Sequence, residues 1–154
     1  MIDREELLRL YAGGEKDFTG RSFAGDYRDR IFRGGIYREA DFRGAYFDGS
    51  AFRDADLSFA IFEGVRIYEC VFAKNCYMEG ADFEEAYFGQ VTFSNVNLTR
   101  AIFKNATFNE AGFKNADLSY ADLRGATKLI SGRCRNVIFH ETIMPNGAVY
   151  TGRT

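Results

Sequence analysis

Along most of this chain a large apolar residue returns at every fifth place. The first run of such centres is Phe32, Tyr37, Phe42, Phe47, Phe52, Leu57, Phe62, Ile67 and Phe72, and a second runs from Met78 through Phe83, Phe88 and Phe93 to Leu123. A small residue stands two places before most centres, as Ala40 does before Phe42 and Ala81 before Phe83. A period of five fits neither the helical 3.6 nor the steady alternation of a strand. Within one unit, positions two apart share a face, as in a short extended segment. The next unit then needs a corner that returns its own centre to the inside. Gly, Asn or Asp at the last place of many units (Gly44, Gly49, Asp54, Asn95, Asn105, Asn115) suits that corner, because these types tolerate positive φ best.

One unit cannot bury its apolar face alone, but coils stacked on one another can, with each backbone hydrogen-bonding to the coils above and below. Large residues then stack on large and small on small, and each buried Phe or Leu contributes roughly 1.5–3 kcal/mol. The composition agrees: sixteen Phe, no Trp, and one Pro, which would remove a coil-to-coil donor. Two places break the frame. Phe72 to Met78 is six residues, so one residue bulges between Lys74 and Tyr77; Phe23 to Tyr27 is four, and Arg21 and Arg30 stand where small partners are expected.

The tandem exemplified by Ala40-Asp41-Phe42-Arg43-Gly44 and Ala55-Asp56-Leu57-Ser58-Phe59 resembles the pentapeptide-repeat family over residues 16–128. The resemblance implies an all-β fold, a right-handed quadrilateral β-helix with four units per coil. For this chain it implies five to six coils, about 25–30 Å of stack. It also implies an interior column of Phe42, Phe62, Phe83, Phe103 and Leu123. A single domain over 1–154 is expected. Residues 1–14 form an N-terminal cap, in which Asp3-Arg4-Glu5-Glu6 reads as a capping box opening a short helix that Gly13-Gly14 stops. Residues 129–154 form an irregular C-terminal cap in which Leu129-Ile130 and Val137-Ile138-Phe139 cover the last coil and 142–147 reads as a strand end and turn. This tail is similar to those of cyanobacterial members of the family.

Charge changes the picture along the chain. Residues 54–90 hold two bases and eight acids, whereas residues 91–154 hold eight bases and four acids. An acidic belt around the middle coils follows, with Glu63, Glu69, Glu84 and Glu85 as its candidate members: a solvated face or a docking surface for something basic. With a pI near 5.5 and no dominant basic stripe, direct nucleic-acid binding is not expected. Residues 1–12 carry acids and arginines instead of an apolar leader, and no run is apolar enough to span a membrane, so a cytoplasmic location is expected. Cys70 and Cys76 fall at the small inward place and Cys134 in the tail; buried reduced thiols are the expectation, with a Cys70–Cys76 bridge the disfavoured alternative.

Catalytic chemistry finds no foothold. The single His140 has no ligand-spaced companion, and the chain carries neither a dinucleotide fingerprint nor a P-loop, so no enzyme, cofactor or metal site is expected. Outward tyrosines carry the strongest interaction signal: Tyr46, Tyr68 and Tyr87 project from one face in successive coils, with Phe59, Tyr77 and Tyr120 on or beside an adjacent one. Such a row is either a self-stabilising ladder or a binding face. The expected role is a non-enzymatic scaffold that binds an unidentified protein partner through its faces, as a monomer or weak homodimer. The resemblance also offers two alternatives, a gyrase-binding DNA mimic and a regulator of cell differentiation.

Overall fold

Each five-residue unit becomes one side of a square coil. The computed structural model describes residue 2, residues 4–24 and residues 32–154. Short strands recur along the chain: β1 (Ser22–Ala24), β2 (Phe32–Arg33), β3 (Tyr46–Asp48), β4 (Ala51–Arg53), β5 (Arg66–Tyr68), β6 (Val71–Tyr77), β7 (Tyr87–Gly89), β8 (Thr92–Asn97), β9 (Thr107–Asn109) and β10 (Gly112–Lys114). They form two parallel sheets, β1-β3-β5-β7-β9 on the first face and β2-β4-β6-β8-β10 on the second. Phe32 pairs with Phe52 and Phe52 with Phe72, so four units close one turn. The third and fourth faces are stitched by single bridges, such as Ile36–Asp56 and Asp41–Ile61. The architecture is a right-handed quadrilateral β-helix.

The residue just before each centre favours strand or turn without deciding it alone, since Ile36, Ile61 and Ile102 also open turn sides. On the third and fourth faces that place often holds Asp or Asn, whose side chain accepts the backbone N–H two residues on: Asp41 from Arg43, Asp56 from Ser58, Asp82 from Glu84, Asn97 from Thr99, Asp117 from Ser119 and Asp122 from Arg124. This local bond competes with an extended backbone and tightens the side into a turn. On the first and second faces the same place holds Tyr46, Arg66, Thr107, Ala51, Val71 and Thr92, types with no such acceptor or with β preference, and those sides are strands.

The corners adopt positive φ. Gly44, Gly49, Asp54, Asn95, Asn105 and Asn115 all lie there, with φ between 49° and 62°. So do Phe59 (60°) and Tyr120 (62°), where side chains are costly; each donates its N–H across the coil boundary, Phe59 to Glu79 and Tyr120 to His140, which offsets the strain.

The interior is four columns. Phe18, Phe42, Phe62, Phe83 and Phe103 stack face to face with centroids 4.8–5.3 Å apart, and buried Leu123 continues the column. Phe32, Phe52, Phe72, Phe93 and Phe113 stack at 4.2–5.1 Å. Neighbouring columns meet edge to face, Phe83 against Phe88 for instance, which is the favoured geometry between ring quadrupoles. Tyr37, Leu57, Met78, Leu98 and Leu118 form the one column that is largely aliphatic.

The expected break at Lys74 is a β-bulge: Lys74 (φ 46°) and Asn75 (φ 55°) turn the corner in succession, and the register shifts between Ala73 and Cys76. The second expected break, with Tyr27 and Arg30, and Asp3 of the capping box lie outside the described residues. Each sheet spans four complete turns, slightly fewer than the expected five to six coils. Above β9 the first face continues only as the Thr107–Thr127 bridge, and above β10 the second only as Lys114–Arg135, because the chain there leaves the pentad period.

Both ends are covered. Helix α1 (Arg4–Ala12) buries Leu7 against the first coil and packs Tyr11 edge-on to Tyr37 at 5.4 Å. At the other end β11 (Ile138–Ile143) pairs antiparallel with β12 (Val149–Arg153), so this cap is more regular than expected. Val137 and Phe139 are buried beneath it, whereas Ile130 is 54% exposed and does not cover the last coil as expected. Phe103→Ala removes a ring stacked on Phe83 and edge-on to Phe113; a loss of about 3–5 kcal/mol is expected by chemical denaturation, and a negligible loss would contradict the interior ladder.

Candidate interaction surface

The coil places the three expected tyrosines on the first face. Tyr46 and Tyr87 align with Arg66 between them, while Tyr68 occupies the parallel row between Asp48 and Gly89. The rings therefore meet diagonally, with centroids 5.6 Å (Tyr46–Tyr68) and 5.3 Å (Tyr68–Tyr87) apart and tilted planes. Gly89 makes room: a Cβ there would fall 2.7 Å from the Tyr68 ring. Tyr46 is exposed, and Tyr68 and Tyr87 are half-buried by their neighbours. The Tyr46 hydroxyl, 3.3 Å from Asp48, is pushed above its ordinary pKa, first by desolvation and then by that carboxylate.

More apolar surface is open across the coil. Tyr77 (50% exposed) lies on the third face, opposite the tyrosine ladder, not adjacent to it, because the face order places two corners between them. Phe59 and Tyr120 sit at the corner between the third and fourth faces, each under an arginine, Arg38 at 5.9 Å and Arg100 at 5.6 Å.

The acidic residues separate by face. Glu63 and Glu84 stand one coil apart on the fourth face, with Glu85 at its corner; Glu69 lies at the corner between the first and second faces. The fourth-face group is bounded by two forked ion pairs, Arg43 with Asp41 and Arg124 with Asp122, each closing at 2.6 Å. In the bridge row of that face Asp41, Ile61, Asp82, Ile102 and Asp122 alternate, so these carboxylates are two coils apart, whereas Asp17 below is bridged directly to Asp41. The Arg124 guanidinium hydrogen-bonded to Asp122 holds that carboxyl below the usual carboxylate range, and Arg43 does the same for Asp41.

Cys70, Cys76 and Cys134 are free and buried. Burial pushes the Cys70 thiol up to about 12 and the Cys76 thiol higher still. His140 packs edge-on against Tyr120 at 5.2 Å. Among the described residues no three of His, Cys, Asp and Glu gather as a metal site, and no helix is long and apolar enough to cross a membrane. An apolar cavity of about 320 Å³ lies under the terminal hairpin, lined by Leu129, Cys134, Phe139, Met144, Pro145, Tyr150 and Thr154.

The family of the pentapeptide repeat region matches residues 65–143, and pentapeptide repeats (8 copies) match residues 38–72. Among solved structures, the chain is similar to HetL, a pentapeptide repeat protein involved in heterocyst differentiation regulation from the cyanobacterium Nostoc sp. strain PCC 7120, at 19% identity over 97% of this chain and 100% of that one, with a TM-score of 0.32. It is similar to Rfr23 from the cyanobacterium Cyanothece 51142 at 14% identity over 91% and 97%, with a TM-score of 0.37. It is also similar to full-length QnrB1, a plasmid-mediated fluoroquinolone resistance protein, at 17% identity over 88% and 89%, with a TM-score of 0.34. No curated protein matches the chain.

Two outcomes follow from the side-chain environments. Cys70 and Cys76 are expected to stay unreactive toward a disulfide thiol reagent at mildly alkaline pH while the protein is folded and to react fully in denaturant; rapid labelling of the native state would contradict their burial. Because the Asp122 pKa is lowered by folding, its contribution is present above the ordinary carboxylate pKa and is lost as pH falls through the folded value. Asp122→Asn is therefore expected to lower Tm at neutral pH and to converge on the wild type in strong acid; an equal deficit at both pH values would remove the ion pair as the cause.

Proposed function

This chain belongs to the pentapeptide-repeat family, and from that premise we propose that it is a non-enzymatic scaffold whose first face binds a protein partner. The observation that carries this reading is the diagonal ladder of Tyr46, Tyr68 and Tyr87 on a flat, parallel sheet. Stacked on one another, with Tyr68 lying over Gly89, the rings lose little freedom when a partner docks. They offer apolar faces and hydroxyl groups together, the combination enriched at protein interfaces. Arg66, held between Tyr46 and Tyr87, adds a cation for a carboxylate or carbonyl of the partner. The acidic group of Glu63, Glu84 and Glu85 supports the alternative of a DNA mimic less well, because cations interrupt it at both ends and it does not run the length of the rod.

The test uses immobilised protein and a lysate of the source organism, with a Tyr46/Tyr68/Tyr87 triple-alanine variant beside it. Each tyrosine at a hot spot is worth about 2 kcal/mol or more, so the variant is expected to melt cooperatively and to lose the partner that the wild type retains. Equal capture by both proteins would reject this face.

A further inference from the structure

The second face carries several cations that no ion pair among the described residues neutralises. Arg53 of β4, Lys114 of β10 and Arg135 share one row, with Ala73 and Ser94 as the rungs between Arg53 and Lys114; Lys74 stands at the adjoining corner above Asp54, and Arg133 lies beside the top of the row. Arg33, one coil below Arg53, is already paired with Asp54 at 3.5 Å. Among the described residues no carboxylate lies within ion-pairing distance of Arg53, Lys74, Lys114 or Arg135, and the buried Nε of Arg53 has no hydrogen-bond partner. On the third and fourth faces, by contrast, Arg38, Arg100, Arg43, Lys104 and Arg124 are all paired.

The surroundings fit one kind of ligand. The floor is Ala73 and Ser94 in the cation row and Ala51, Val71, Thr92 and Gly112 in the row beside it, with no side chain larger than Val, so a second backbone can lie close. Above Lys74 the corner beside the cation row holds amides, not acids: Asn136 donates to Asn115 at 2.8 Å and Asn115 to Asn95 at 3.1 Å. Glu69 and Glu110 stand on the opposite corner, and the Glu110 carbonyl accepts from Arg133 at 3.1 Å. At the top the face opens into a groove of about 270 Å³ lined by three cations, Lys114, Arg133 and Arg135, and one acid, Glu110. Among the described residues no aromatic ring projects from this face to stack a base, whereas single-stranded nucleic acid relies on such rings.

We propose that the second face is a docking strip for an extended acidic peptide segment of a partner protein. From Arg53 to Arg135 is four coil spacings, about 19 Å, the reach of about six extended residues. The proposal shares with the tyrosine-face reading only the premise of a protein partner, and it uses a different face.

The probe is fluorescein-labelled hexaglutamate, followed by anisotropy at about 50 mM salt, where screening is weak. The wild type is expected to bind it, and Lys114→Gln/Arg135→Gln, two exposed positions, to bind about tenfold more weakly while melting as the wild type. Should that pair lose stability, Lys74→Gln carries the same test with a smaller factor. Arg43→Gln/Arg124→Gln on the fourth face and the triple-tyrosine variant are expected to bind like the wild type, so failure here and failure of the tyrosine face are separable. Absence of binding, or equal loss in the fourth-face variant, would overturn the proposal. So would tighter binding of hexathymidylate or of phosphatidylglycerol vesicles, which would reassign the face to a nucleic acid or a membrane surface.

Discussion

The spacing of about 4.8 Å between parallel backbones governs nearly every side chain in this molecule. Because coils stack in register, each residue meets its own counterpart directly above and below. Inside, that interval suits phenyl rings, which stack at 4.2–5.3 Å along two columns. Outside, the same rule makes repetition of a charge unfavourable. From Asp41 to Asp122 the fourth face answers by alternating Asp with Ile, although Asp17 and Asp41 are bridged directly. The corner row answers with asparagine, whose amide both donates and accepts and can therefore pair with its own copy, as Asn136, Asn115 and Asn95 do.

Corners set the second constraint. A right-angle turn every five residues needs the left-handed backbone region, and seventeen described residues other than glycine occupy it. Many of them donate their N–H to the next coil, as Glu39 does to Ser58 and Asn115 to Arg135, so the strain is shared with the sheets. The corner also directs side chains outward. That is why Phe59 and Tyr120, at corner positions, are among the more exposed aromatic residues, while every centre one unit away is sealed in the core.

The period of five made the interior legible from sequence: Phe42, Phe62, Phe83, Phe103 and Leu123 share one buried column, and the frame break at Lys74 is a bulge. The Asp or Asn before the centre marks some of the turn sides, at Asp41, Asp56 and Asp122 for instance, but Ile36, Ile61 and Ile102 open turn sides without it, so the distinction needs the bridge pattern. Surface chemistry was less legible, because faces collect residues twenty apart and not residues in one stretch. Counted along the chain, residues 54–90 read as one acidic belt, yet Glu69 lies at a different corner from Glu85. Lys114 aligns above Arg53 only when the extra residue at the bulge is counted into the frame.

The same bookkeeping separates charges that the fold uses from those it does not. Asp41 with Arg43 and Asp122 with Arg124 hold their own turns: each carboxylate accepts both the backbone N–H and the guanidinium of the residue two places on. Lys114 and Arg135 do nothing comparable. They occupy bridged positions in adjacent coils, with like charges in the arrangement that parallel stacking penalises. Ser94 and Ala73, in the same row, show that small uncharged residues fit there without disturbing the sheet. A row that accepts serine and alanine does not require cations for folding, and that is the ground on which the docking strip is proposed.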